Sequence, residues 1–345
     1  MGKTDTAVFA IAAPITALMI WTVVFAACVA RAADLTFVLP VRCDFPEQCY
    51  IQSYVDLDPG PTIRDRGCGI HTYDGHKGTD FRLRSLDLMD RGVQVLAAED
   101  GKVVRTRDGM RDVHMRLFGQ ELSFRRGAGN HVVIDHGGGW RTSYGHLRRG
   151  SVTVKSGDFV KAGQKIGLVG MSGLTAFPHL HFEAAKLGRI IDPFLGPDNM
   201  GDCKGPKRTL WTGKALKALT YNTRFLIAAG FADMPLSREA LLYRLHVSDR
   251  ISRRAPNLFF HVDFAGLRVG DIYELRIFTP QGEIFAEKRI LSNKDAPVAF
   301  RLIGRRLANR PYWPTGEYIG EFILYRETGG EKSIFINHKI RMKVK

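Results

Sequence analysis

Internal repeats and low-complexity tracts are absent from this 345-residue chain. Disorder throughout is excluded by a hydrophobic content of 45%, ample for packed cores. A nucleotide-binding loop is missing too. Gly167, Gly170 and Gly173 in IGLVGMSG follow G-x-x-G-x-x-G, with no helix of suitable periodicity after them, and they read as turn glycines. Acidic side chains are in short supply, 35 against 50 Lys and Arg, and the shortage is local. Residues 34–200 carry 22 basic against 20 acidic residues, whereas residues 201–345 carry 26 against 14, a net +12. That asymmetry points to an anionic partner for the C-terminal part.

Cysteine is scarce, five in all, and its placement is informative. Cys28 lies in the one long uncharged run, Ala7 to Ala30, which follows Lys3 and leads into Ala30-Arg31-Ala32. The pattern reads as a secretory signal, residues 1–32, cut after Ala32. The run is 24 residues, long enough to span a bilayer as an uncleaved anchor. Phe25-Ala26-Ala27-Cys28 offers a third, lipoprotein reading. Each of the three puts the functional part in the periplasm or outside the cell, which removes nucleic acid as a partner. The remaining cysteines, Cys43, Cys49, Cys68 and Cys203, are even in number, and in an oxidising compartment they read as two disulfides. Three pairings exist; the expected one joins Cys43 to Cys49 and ties the ends of the first domain through Cys68–Cys203. A metal held by Cys68 and His71 is the rival reading.

From Asp34 to about Gly196, short apolar runs alternate with turns, as in VQVLAAEDGKVVRT and NHVVIDHGGGWRTSYGHL. Such spacing indicates an antiparallel-sheet protein rather than a βαβ fold. Residues 107–128 break the rhythm and read as an inserted loop. Residues 201–213, rich in Gly, Pro and polar groups, read as a linker. Beyond it, residues 214–345 offer LFFHVDF, a hairpin about Pro280-Gln281-Gly282, and a last strand in which Ile340, Met342 and Val344 alternate with Lys339, Arg341, Lys343 and Lys345. The expectation is a basic β-sandwich of immunoglobulin-like type.

Eight of the eleven histidines fall between residues 71 and 181. In PHLHFE the two-residue spacing sends His179 and His181 to one face of a strand and Leu180 and Phe182 to the other. In GHKGTDF, His76 stands four residues before Asp80, and Gly75 and Gly78 argue for a turn rather than a helix. Nitrogen and carboxylate ligands suit Zn²⁺, whose catalytic sites use three protein ligands and leave one position open. His76, Asp80 and one histidine of the 179/181 pair complete such a set, leaving the other to move protons. His146, in YGHL, is placed to hold a developing oxyanion. His71, His114, His131 and His136 read as structural or surface residues, His136 with a supporting position behind the site.

In this order, GHKGTDF, VQVLAAEDGKVV, GNHVVIDHGGGWRTSYGHL, GDFVKAGQKIGLVG and PHLHFE resemble the lysostaphin-like, or LytM-type, zinc endopeptidases of peptidoglycan, over about residues 70–195. The resemblance implies that residues 34–200 are a peptidase domain binding one Zn²⁺ per chain. It makes His76, Asp80 and His181 the ligands and His179 and His146 the catalytic histidines. The implied activity is hydrolysis of peptide cross-links in peptidoglycan, a zinc-activated water attacking the scissile carbonyl. Two other functions fit the same pattern: an inactive LytM-type domain that activates other wall hydrolases, and a secreted peptidase acting on proteins. The first of these usually lacks part of the ligand set, which is complete here. Phe177 is a departure, standing where the family often has Gly before Pro-His-Leu-His. The basic domain is expected to meet an anionic surface of the envelope.

Overall fold

The computed structural model describes residues 1–2, 35–117, 127–199, 201–308 and 311–345. The expected signal or anchor segment lies outside these residues apart from Met1 and Gly2. Among the described residues no helix is long and apolar enough to cross a membrane. From Asp34 to Lys345 the chain is one compact unit.

Antiparallel strands dominate. The larger sheet runs, in spatial order, Cys49–Ser53, Thr79–Leu83, His179–Lys186, Trp140–Leu147, Asn130–Gly137, Gly101–Arg107 and Phe159–Val160. Asn130–Gly137 and Trp140–Leu147 form the hairpin expected around the glycine triplet, and Gly137, Gly138 and Gly139 all have positive φ. Glycine reaches that region without strain, which is why three can stand in a row here.

The strand His179–Lys186 is central in this sheet, and its alternation fixes its register. Leu180 and Phe182 are fully buried, and Phe182 packs against Phe37, Tyr144 and Trp211 with ring centroids 5.4–5.6 Å apart. Burying each of these two side chains contributes about 2 kcal/mol. A one-residue slip would turn both into the groove and both histidines into the core. Residues 201–213, expected as a linker, contribute Leu210 and Trp211 to this same core, and Ala215 and Leu219 follow them in.

The second core lies between a three-stranded sheet, Leu226–Ala232, Asn257–Leu267 and Ala296–Arg306, and a five-stranded one. The latter comprises Arg250–Ile251, Glu331–Val344, Gly316–Thr328, Asp271–Phe278 and Ile284–Leu291. Phe260, Val262 and Phe264 of the first sheet meet Leu275, Phe322 and Met342 of the second, giving the expected β-sandwich. Asp271–Phe278 and Ile284–Leu291 pair as the expected hairpin. The last strand alternates as its sequence indicates, but its basic face is partly neutralised. Lys339 pairs with Glu321 at 3.0 Å and Arg341 with Glu317 at 3.2 Å, each carboxylate lying on the neighbouring strand.

Short contacts join the two cores. Tyr50 packs on Phe225 with centroids 4.5 Å apart, Tyr221 donates its hydroxyl to Asp65 at 2.9 Å, and the Arg84 guanidinium donates to the Leu226 carbonyl at 2.7 Å.

Both expected disulfides are present, Cys43–Cys49 and Cys68–Cys203, with sequence separations of 6 and 135 residues. Their bonding removes Cys68 as a metal ligand. Loop-closure entropy assigns up to about 5 kcal/mol to the longer loop and about 2 kcal/mol to the shorter. The Cys68→Ser/Cys203→Ser pair should therefore lower the unfolding free energy by more than Cys43→Ser/Cys49→Ser, as measured by urea titration of each variant. Equal losses would contradict the entropic reading.

Candidate metal centre and active site

The register of two strands builds the centre. Thr79–Leu83 pairs with His179–Lys186 so that Asp80 stands opposite His181 and Arg82 opposite His179. All four residues therefore share one face of the sheet. His76 enters from the loop before Asp80, and Gly78 lets that loop pass. A Cβ on Gly78 would sit 2.6 Å from Cε1 of His181, too close for any side chain.

Asp80 Oδ1 lies 3.1 Å from His76 Nε2 and 2.9 Å from His181 Nδ1, and the two ring nitrogens are 3.3 Å apart. One ligand atom from each of these three residues falls within 4.8 Å of the others, so the group can hold a metal ion. The surrounding contacts favour the geometry. His76 Nδ1–H donates to the Tyr54 carbonyl at 2.6 Å, which leaves Nε2 with its lone pair toward Asp80. His181 Nε2 faces the Glu183 carboxylate at 3.9 Å.

The other two imidazoles flank this group. His179 Nε2 is 3.6 Å from Asp80 Oδ1, and its Nδ1–H donates to the Phe177 carbonyl at 3.0 Å. His146 donates its Nδ1–H to the Ser172 carbonyl at 2.7 Å, and its ring centroid is 4.4 Å from that of His179. His146 has φ of 59°, a left-handed conformation that costs a non-glycine residue about 1–3 kcal/mol. Two backbone hydrogen bonds hold it there, from its own N–H to Ala128 and from Gly170 to its carbonyl. A groove of about 730 Å³ opens over the five residues, walled further by Tyr73, Met115, Leu174, Phe177 and Glu183.

Charge follows from the same contacts. Burial opposes ionisation of Asp80, but the imidazoles of His76, His179 and His181 around it outweigh that and hold its carboxyl well below the usual range. Burial likewise opposes a proton on His181, yet hydrogen bonds to Asp80 and Glu183 outweigh it and push His181 up to about 9. Burial lowers His179 to about 4. It also drives His146 well below its ordinary value, with the neighbouring imidazoles of His179 and His181 adding to the effect. Without metal, His181 thus carries an imidazolium beside the Asp80 carboxylate.

The structure therefore brings His76, Asp80, His146, His179 and His181 together. The remaining histidines of this half stand elsewhere. His136 contacts Asp100 and Thr142, His131 the Gly129 carbonyl, and His71 packs beside Asp65. Sequence reasoning alone misses Glu183 and Tyr73. Glu183 does carry a signal, since it continues the alternation of His179 and His181; Tyr73, whose ring lies 4.3 Å from that of His76, carries no comparable mark.

A metal must displace the proton on His181. Binding to metal-free protein at pH 7.5 should release about one proton per ion, and affinity should rise with pH until about 9. Titration calorimetry with ZnCl₂ in buffers of different ionisation enthalpy measures this directly. Binding without proton release would contradict the assignment.

Residues 74–193 match peptidase family M23. The chain is 38% identical to the peptidoglycan DD-endopeptidase ShyA of Vibrio cholerae over 117 residues, 34% of this chain and 22% of that protein. It is 30% identical to the murein hydrolase activator EnvC of Escherichia coli over 129 residues, 37% of this chain and 26% of the other. It thus spans about a fifth to a quarter of the length of these relatives. A crystal structure of a zinc containing peptidase from Vibrio cholerae is 31% identical, covering 46% of this chain and 39% of that one, with a TM-score of 0.31. Residues 74–193 are a peptidase family M23 domain of the LytM type.

Proposed function

We propose that the protein is an exported zinc endopeptidase that hydrolyses peptide cross-links in peptidoglycan. The observation that carries this reading is the convergence of His76 Nε2, Asp80 Oδ1 and His181 Nδ1 beside two imidazoles that are held neutral. Two nitrogens and one carboxylate oxygen suit zinc, and the four cysteines beyond the signal are committed to disulfides. One Zn²⁺ bound there would supply a Lewis acid for the scissile carbonyl and ease deprotonation of water. His146 and His179 do the proton work. Each ties its Nδ1–H to a backbone carbonyl, so each presents Nε2 as an acceptor. A proton taken there from the attacking water can return to the departing amine. The DD-endopeptidase activity of the Vibrio cholerae relatives supports peptidoglycan as the substrate class.

The relative named as a murein hydrolase activator favours a second reading, in which the groove binds wall hydrolases rather than substrate. The complete set of five residues weighs against it. Turnover on purified sacculi separates the two. The wild type should release cross-linked peptides and retain about one zinc per chain. His181→Ala should lose both zinc and activity. His146→Ala and His179→Ala should keep zinc and fold while losing a factor of about 10²–10⁴ in rate. Binding of a wall hydrolase by a zinc-free, inactive wild type would favour the activator.

The anionic partner is proposed for one end of the sandwich. Arg250 pairs with Lys343 across the parallel strands, Arg253 N–H donates to the Lys345 carbonyl, and Arg254 lies alongside. Arg305 reaches the same region, stacked on Phe285 beside Trp313. Among the described residues none of these six cations has a carboxylate within ion-pair distance, in contrast to Lys339 and Arg341. An exposed patch of this kind acts over a Debye length of ~8 Å at physiological ionic strength. Retention on vesicles containing anionic phospholipid should fall as salt rises and fall further in Arg250→Glu/Arg254→Glu. Retention indifferent to both would exclude the patch.

A further inference from the structure

His179 owes its orientation to three residues just before it. Phe177 O accepts its Nδ1–H at 3.0 Å, and Thr175 Oγ1 stands 3.1 Å from the same nitrogen. Thr175 Oγ1 in turn accepts the Phe177 N–H at 3.3 Å. The Phe177 ring lies against the imidazole, with centroids 4.8 Å apart, and beneath the buried guanidinium of Arg82 at 4.1 Å. A displaced Thr175–Phe177 segment would therefore turn His179 with it.

That segment is held from outside the peptidase half. The Tyr243 hydroxyl donates to the Ala176 carbonyl at 2.8 Å. Tyr243 follows the short helix Arg238–Leu242, which is rooted in the C-terminal half. Leu241 is buried with Ala232 and Leu236, and Arg238 pairs with buried Asp263 at 2.9 Å. Met115 and Arg116, before the helix in sequence, meet the same segment and the same helix. Met115 N–H donates to the Thr175 carbonyl at 2.8 Å, and Arg116 faces Glu239 of the helix at 3.8 Å.

We infer that Tyr243 is a positioning residue for His179, acting through its hydrogen bond to Ala176, so that the C-terminal half braces one wall of the peptidase groove from behind. The inference rests on the proposed role of His179 in proton transfer. The hydroxyl fixes the middle peptide of a three-residue segment whose two flanking residues both address His179 Nδ1. Misplacement of a reacting group by about 1 Å is enough to cost ~10²-fold in rate, so a loosened segment is felt at the chemical step before it is felt in folding.

Tyr243→Phe deletes the hydroxyl and keeps the ring. The test compares wild type, Tyr243→Phe, His179→Ala and the double variant for zinc content, thermal midpoint, kcat and KM, using cross-linked muropeptide dimers released from purified peptidoglycan. Tyr243→Phe should keep its zinc and its KM and lose roughly 10-fold to 100-fold in kcat. In the His179→Ala background the same substitution should change kcat no further, a result that a general loss of structure would not give. An equal loss in both backgrounds would overturn the inference, since Tyr243 would then act elsewhere. An impaired His179→Ala beside an unaffected Tyr243→Phe would overturn the positioning role alone. Full activity in His179→Ala would overturn the proton-transfer reading and this inference with it. If Tyr243→Phe is unstable at assay temperature, exchange of the His179 Nδ1 proton by NMR in the cold decides the same question. Faster exchange supports the role; an unchanged rate overturns it.

Discussion

Asp80 is a carboxylate 2% exposed to solvent, placed by strand register directly opposite His181. A buried charge without a partner destabilises a protein by several kcal/mol, and nearly every feature of the site can be read as an answer to that constraint. His76 and His181 each bring a ring nitrogen within about 3 Å of Oδ1. His76 is aimed by the Tyr54 carbonyl, and His181 is backed by Glu183. In the absence of metal, His181 keeps a proton and the carboxylate is compensated. A divalent cation bound there would do the same work with the proton expelled, so that metal binding and proton release would be one event.

The second consequence concerns the division of labour between the two halves. A basic sandwich following a peptidase suggests a detachable targeting module. The packing argues for a closer union: Trp211 lies in the first core, Tyr50 packs on Phe225, and Tyr243 reaches the segment that orients His179. The Cys68–Cys203 bond fastens the segment that leads toward the sandwich to the first half. Anything that disturbs the sandwich near Arg238–Leu242 is therefore transmitted to the groove through a few short, directional contacts.

Much of this is legible in the residues, for identifiable reasons. Alternation in HLHFE is a property of strands alone, so the shared face of His179 and His181 follows from it, and Leu180 and Phe182 supply the core that holds the register. The hairpins are marked by local turn residues. Which histidine of the pair faces Asp80 is not legible from spacing, because it depends on the register across the sheet; only the family resemblance supplies the ligand expected among them. The tautomers are hidden as well, since the carbonyls of Tyr54, Ser172 and Phe177 set them and every residue type has a carbonyl. Composition misleads in two places. The Gly- and Pro-rich segment 201–213 looks solvated, yet Leu210 and Trp211 find room in the first core. The basic face of the last strand looks unpartnered, yet Glu317 and Glu321 of the preceding strand lie beside it. Tyr243, distant in sequence from every motif, gives no signal at all.

The proposed centre would hold its cation among His76, Asp80 and His181, with His146 and His179 outside its coordination. Zinc K-edge X-ray absorption of the loaded protein tests this placement most directly. The expected spectrum has only nitrogen and oxygen scatterers at about 2.0–2.2 Å, with the outer-shell signature of two imidazoles, unchanged in His179→Ala. A sulfur shell at about 2.3 Å, or an imidazole count that falls when His179 is removed, would contradict it.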